Sequence, residues 1–141
     1  RMLLGTISDG SALEKLAAFV AAQGGNPQAV YDTGLLPKAS LVHEWKADVT
    51  GYVSHIACDE VGICSLLLGG GRETKESSID LSVGIVLHKK VGDAVSAGDT
   101  VAVLYANDAD RLAQAAERLR GAYTFSAEAP MRRELIRGIV G

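Results

Sequence analysis

The sequence has no extended run of lysine and arginine, only two cysteines, three prolines and one tryptophan, and no apolar stretch near the ~20 residues that cross a bilayer. Each shortage excludes something. Fourteen basic residues against seventeen acidic ones leave a net charge of −3. Without a basic stripe there is no electrostatic footprint for nucleic acid. No basic-then-apolar leader is present, so a membrane is not an expected partner and the expected location is the cytoplasm. Cys58 and Cys64 are too few for a disulfide framework, and their spacing does not match the close pairs of a zinc site, so both are expected to be buried free thiols.

What is present is ordinary globular material. Of 141 residues, 48% are hydrophobic and 22% charged, which disfavours disorder. A chain of this size hides roughly two thirds of its unfolded surface, enough for one real core. The first residue is Arg1, and the opening "RMLLGTISDG" carries no clear start signal, so the sequence reads as an excised piece of a longer chain.

Ser11 followed by Glu14 has capping-box spacing, and Leu13, Leu16, Ala17 and Val20 recur on one face before Gly24, which predicts a helix over 12–23. Asn26 and Pro27 open a short second helix that Gly34 and Pro37 end. From Leu41 the period changes to two. Leu41, His43, Trp45 and Ala47 alternate with Val42, Glu44, Lys46 and Asp48, and "YVSHI" follows Gly51, as in a bent or bulged strand pair. Asp59 is placed to cap a short helix ending at Gly69 to Gly71.

Beyond these glycines, "IDLSVGIVLHKK" and "TVAVLYA" read as strands. Two Gly-Asp pairs, six residues apart in "VGDAVSAGD", supply turns between them. Asn107 or Asp108 caps a helix whose Leu112, Ala115, Ala116 and Leu119 share a face, and "AYTFSA" is a last strand before a basic-acidic tail from Pro130. Strands and helices mix without regular βαβ alternation, so the fold class is α+β.

The stretch "GGGRETKESSID" has the composition of a phosphate loop, but its placement argues otherwise. A phosphate loop needs lysine and a hydroxyl residue directly after its last glycine, at the start of a helix. Here the loop leaves a helix, Lys75 stands four residues past Gly71, and Glu73 and Glu76 bring negative charge. A flexible connector is the better reading. His43, His55 and His88 fall at strand positions with no nucleophile motif nearby, so a hydrolase is disfavoured. A metal site from His43 and His55 is weakly supported. A helix cap and a solvated neighbour explain Asp59 and Glu60, and core packing explains Trp45 and Phe125.

"GYVSHI" followed by "VGDAVSAGDTVAVL" is similar to the pattern of biotinyl and lipoyl carrier domains. A carrier needs an acceptor lysine at a hairpin tip, and Leu104 is followed by Tyr105, Ala106, Asn107 and Asp108. The chain as a whole resembles the C-terminal part of the pyrimidine nucleoside phosphorylase and thymidine phosphorylase family. That resemblance rests on "SDGSALEKLAAFVAAQGGNP", "GYVSHI", "LLLGGGRETKESSIDLSVGIVLHKKVGD" and "GDTVAVLYAND", in family order.

The resemblance implies a phosphorolytic enzyme with inorganic phosphate as co-substrate, working as a homodimer. Residues 1–37 would be the closing helical segment of its large α/β domain. Residues 38–141 would be a C-terminal α+β domain with a mixed or antiparallel sheet of barrel-sandwich-like, α/β-hammerhead type and flanking helices. It implies no catalytic, substrate-binding or metal residue in this stretch, and no cofactor. Gly69, Gly70, Gly71, Arg72, Thr74 and Lys75 would form a mobile loop that orders when the cleft closes. The remaining domains of the same enzyme would be the partners, and the piece alone would be inert. A free-standing biotinyl- or lipoyl-like module is the competing reading.

Overall fold

The computed structural model describes residues 2–72, 74–131, 136 and 138–140. The expectations for Glu73 and for most of the tail fall outside these residues. The chain divides into two compact units, Arg1–Pro37 and Lys38–Gly141.

The first unit is helical. Helix α1 (Met2–Ser8) is one that periodicity missed, because Gly5 and a short length blur its signal. Helix α2 spans Ser11–Ala22. Its start corrects the capping-box reading: Gly10 is the N-cap, Ser11 is already helical, and Asp9 Oδ1 accepts the Ser11 N–H at 2.9 Å. Gly24 takes φ 78°, and the Gly25 N–H bonds Val20 O at 2.9 Å, the left-handed ending that frees a helix end from unpaired carbonyls. Two single 3₁₀ turns follow, Pro27–Val30 and Thr33–Leu35, in place of one helix. Asn26 caps the first by accepting the Gln28 N–H.

The second unit is α+β, with two three-stranded antiparallel sheets. One has the order β1 (Leu41–Lys46), β5 (Thr100–Ala106), β3 (Gly84–Leu87). The other has the order β4 (Ala94–Val95), β2 (Gly51–Ile56), β6 (Tyr123–Ser126). The expected pairing of β1 with β2 is therefore corrected: the two are consecutive but lie in different sheets. The reason lies in the corner between them. Ala47 exchanges backbone bonds with the second Gly-Asp turn, accepting from the Gly98 N–H and donating to Asp99 O, both at 2.8 Å. Val53 does the same with the first turn, through Gly92 and Asp93, at 2.8 and 3.0 Å. Each of β1 and β2 carries the irregularity expected of it, between Trp45 and Lys46 and between Val53 and His55.

The core lies between these strands and α4 (Ala109–Gly121). Val53, Val101, Leu104, Ala115 and Leu119 are fully buried. Truncating a side chain such as Leu104 or Leu119 to alanine costs about 2–5 kcal/mol. Trp45 packs edge-on to Tyr123 at 5.0 Å between centroids and to Phe125 at 6.5 Å, so Trp45 and Phe125 both serve in core packing, as their place in the sequence implies. Helix α4 buries Ala115, Ala116 and Leu119, and Asp108 rather than Asn107 caps it, accepting the Arg111 N–H at 2.9 Å. Helix α3 (Cys58–Ser65) has Ala57 as its N-cap, which corrects the reading of Asp59 as the cap. Asp59 instead lies in the first turn, where its charge still suits the positive end of the helix.

Candidate functional site: the glycine loop and its neck

The π-helical turn Leu66–Gly70 follows α3 directly, and the chain then leaves on the glycines. Gly69 takes φ 102°, a conformation that side chains strain to adopt. At Gly70 the demand is for space, because a Cβ would stand 2.9 Å from Ser65 Oγ and 3.1 Å from Ser65 O. The Asp80 N–H then bonds Gly69 O at 2.9 Å, closing residues 69–80 into a loop with a narrow neck.

Within the loop, Thr74 and Ser77 form a small turn: the Thr74 N–H bonds Ser77 Oγ at 3.0 Å and the Ser77 N–H bonds Thr74 O at 3.2 Å. Arg72, Thr74 and Lys75 are exposed, and Arg72 and Lys75 have no ion pair among the described residues.

The neck is held by side chains. Asn107 Oδ1 accepts from the Ser40 N–H at 2.8 Å and from Ser40 Oγ at 3.0 Å. Its Nδ2 donates to Asp80 Oδ2 at 2.7 Å and to Ser82 Oγ at 2.8 Å. Asp80 Oδ1 takes the Ser82 hydroxyl at 2.6 Å and the Ser82 N–H at 2.9 Å. These donors, Ser82 first and then Asn107, hold the Asp80 carboxyl below the usual range.

Beside the neck is a cleft of about 380 Å³, lined by residues that include Gly69, Gly71, Asp80, Asp108 and Arg111. As a phosphate cradle it is poorly made. Asp80 and Asp108 bring two carboxylates to its lining, which offset Arg111 and the capped start of α4 on the same wall, and the loop leaves the carbonyl end of the preceding helical segment. Arg111 Nη1 reaches Leu67 O at 3.3 Å.

The other sequence candidates do not gather into a reactive cluster. His43 is part-buried on β1, while His55 is exposed on β2, so the pair suggested for a metal lies on different sheets. His88 is exposed and follows β3 rather than lying in it. No group of three or more metal-ligating side chains occurs among the described residues. Cys64 is buried as expected, and burial pushes its thiol pKa up. Cys58 is exposed, against expectation, because it opens α3 on the solvent side. Glu60 is not simply solvated either: it pairs with Arg118. Sequence reading missed the role of Asn107, for which it offered only helix capping.

The comparison with known proteins turns on the same stretch of chain. Residues 52–126, just over half of the sequence and β2 through β6, match the family described as pyrimidine nucleoside phosphorylase C-terminal domain. The chain belongs to that family.

Among curated relatives, the pyrimidine-nucleoside phosphorylase of Geobacillus stearothermophilus is 50% identical over 106 residues, 75% of this chain and 24% of the relative. That of Staphylococcus haemolyticus is 47% identical over 107 residues, 76% of this chain and 25% of the relative. That of Staphylococcus aureus is 41% identical over 109 residues, 77% of this chain and again 25% of the relative. The chain thus spans about a quarter of the length of the relatives it matches. These matches do not favour a carrier module. No described helix is long and apolar enough to cross a membrane.

Proposed function

We propose that this chain is the C-terminal part of a pyrimidine nucleoside phosphorylase, and that its glycine loop is a closure contact of the intact enzyme. The whole protein would split thymidine- or uridine-type nucleosides into base and pentose 1-phosphate, with inorganic phosphate as co-substrate, in the cytoplasm and as a homodimer. The observation that carries this reading is the family match together with relatives three quarters of whose length lies outside it.

In this reading residues 1–37 are the end of the large α/β domain. Their exposure supports it: Leu3, Leu4, Ile7 and Phe19 are 75%, 71%, 71% and 60% exposed, and Ala17 is the one hydrophobic residue among the described residues of that unit to be buried. Residues 38–141 are the C-terminal domain, of barrel-sandwich-like, α/β-hammerhead type. The matching exchanges of Ala47 and Val53 with the two Gly-Asp turns support that architecture. The chain alone is inert, because the groups that bind nucleoside and phosphate belong to the rest of the enzyme.

The closure role rests on the loop's build. A fixed neck carries an exposed tip on which Arg72 and Lys75, without an ion pair among the described residues, are ready to bond a facing domain. Assaying phosphorolysis of thymidine and uridine by this chain and by the full-length product of its gene tests the whole reading. Activity in the isolated chain overturns it. For the loop, replacing the residues equivalent to Arg72 and the glycines in an intact relative lowers turnover and leaves phosphate affinity nearly unchanged. A large loss of phosphate binding would restore the cradle.

A further inference from the structure

We propose that Asn107 is a positioning residue that pins the neck of the glycine loop to the segment by which the chain enters its second unit. All the hydrogen-bonding groups of its amide are engaged. Oδ1 takes both donors of Ser40, which is 67 residues away, and Nδ2 gives both its hydrogens to Asp80 and Ser82, 27 and 25 residues away. The chemistry of the partners sets the orientation. A backbone N–H can only donate and an ionised carboxylate can only accept, so the amide has one way round.

Three separate stretches meet at this side chain. Ser40 is the third residue of the unit that begins at Lys38. Asp80 is the residue whose N–H closes the loop on Gly69, and Ser82 leads into β3. Asn107 itself is held by β5 on one side and by the capped start of α4 on the other. The neck is therefore fixed from two sides, and a displacement at Ser40 reaches it through one amide. This deepens the closure reading, which gives the relay something to do. The pin itself is a property of this chain and is tested without catalysis.

The experiment is amide hydrogen exchange on the full chain in two variants. Asn107→Asp keeps the acceptor for Ser40 but loses both donors and sets a carboxylate against Asp80. Asn107→Ala removes both arms. In Asn107→Asp the Asp80 and Ser82 amides exchange about ten-fold faster or more, while the Ser40 amide stays slow. In Asn107→Ala all three accelerate. The β5 amides of Val101 to Leu104 stay protected in both.

Neck amides as slow as wild type in Asn107→Asp overturn the pin. So does loss of protection across β5 in that variant, which would make Asn107 a general core support. If Asn107→Ala does not fold, the split between Ser40 and Asp80 in Asn107→Asp still decides. The turnover test on an intact relative is separate: it can fail while the exchange split holds, and then the pin stands and the closure reading falls.

Discussion

Lys89 Nζ lies 2.8 Å from Asp99 Oδ2 and 2.8 Å from Ala94 O, so one ammonium joins the chain just after β3 to β4 and to the turn that follows it. Asp99 belongs to the second Gly-Asp turn, where its carboxylate also takes the Ser96 N–H at 3.1 Å. Asp93 does the same in the first turn, taking the Lys90 N–H at 2.7 Å. Two turns of the same build thus fold the strands onto each other, and Lys89 ties the second to the sheet edge.

That relationship has a pH signature. The Lys89 hydrogen bond, then the Ser96 N–H, holds the Asp99 carboxyl below its ordinary value of 3.8. A depressed folded pKa contributes stability that is complete above the unfolded carboxylate range and drains away as pH falls through the folded value. Asp99→Asn should melt lower than wild type at pH 7, and the gap should narrow below about pH 4. Thermal melts of both proteins across that range check it, and a gap that persists at the lowest pH refutes the assignment.

At the alkaline end the titrating group is Tyr123. Burial, with smaller contributions from Cys58 and Asp93, raises its phenol to about 12, and its hydroxyl donates to Lys89 O at 3.1 Å. Because the folded state favours the neutral phenol, this stability is complete below about pH 10 and is lost as pH rises towards the folded value. Tyr123→Phe should cost about 1 kcal/mol at pH 7 and should remove part of the alkaline decline. Denaturant titrations at several pH values measure both.

Two glycines separate strain from collision. At Gly98, φ is 94° and a Cβ would meet nothing within 4 Å, so Gly98→Ala should cost about 1–2 kcal/mol from backbone strain alone. Gly98→Asn should cost less, since asparagine tolerates positive φ. A Cβ at Gly51 would lie 2.4 Å from Ser126 O, in the backbone of the neighbouring strand. Gly51→Ala should therefore cost about 2–4 kcal/mol and loosen the β2–β6 pair. Chemical denaturation ranks the three variants, and an equal cost for both alanines would contradict the distinction.

His43 offers a stabilising change. Its Nε2 is buried with no hydrogen-bond partner. Leaving a buried polar atom unpaired is costly, and an apolar group of similar size removes that cost. His43→Leu should be neutral or up to about 1 kcal/mol more stable. A clear loss of stability would mean the imidazole is paired in solution.

Read on its own, the sequence determined most of what is local. Gly92 and Gly98 mark turns because few other residues take positive φ. The face made by Ala115, Ala116 and Leu119 declares α4, and Trp45 and Phe125 declare themselves core by size and spacing. These signals act over a few residues, so no knowledge of the path of the chain is needed.

Tertiary structure decided the rest. The split of β1 and β2 into different sheets depends on turns that lie some 40 to 50 residues further along the chain. The work of Asn107 depends on Ser40, 67 residues distant, and on Asp80. An amide presents the same donors and acceptors at a helix cap, in a turn or across a neck. Which of these it serves is set by what the fold carries within hydrogen-bonding reach of it, and periodicity and turn chemistry hold no record of that.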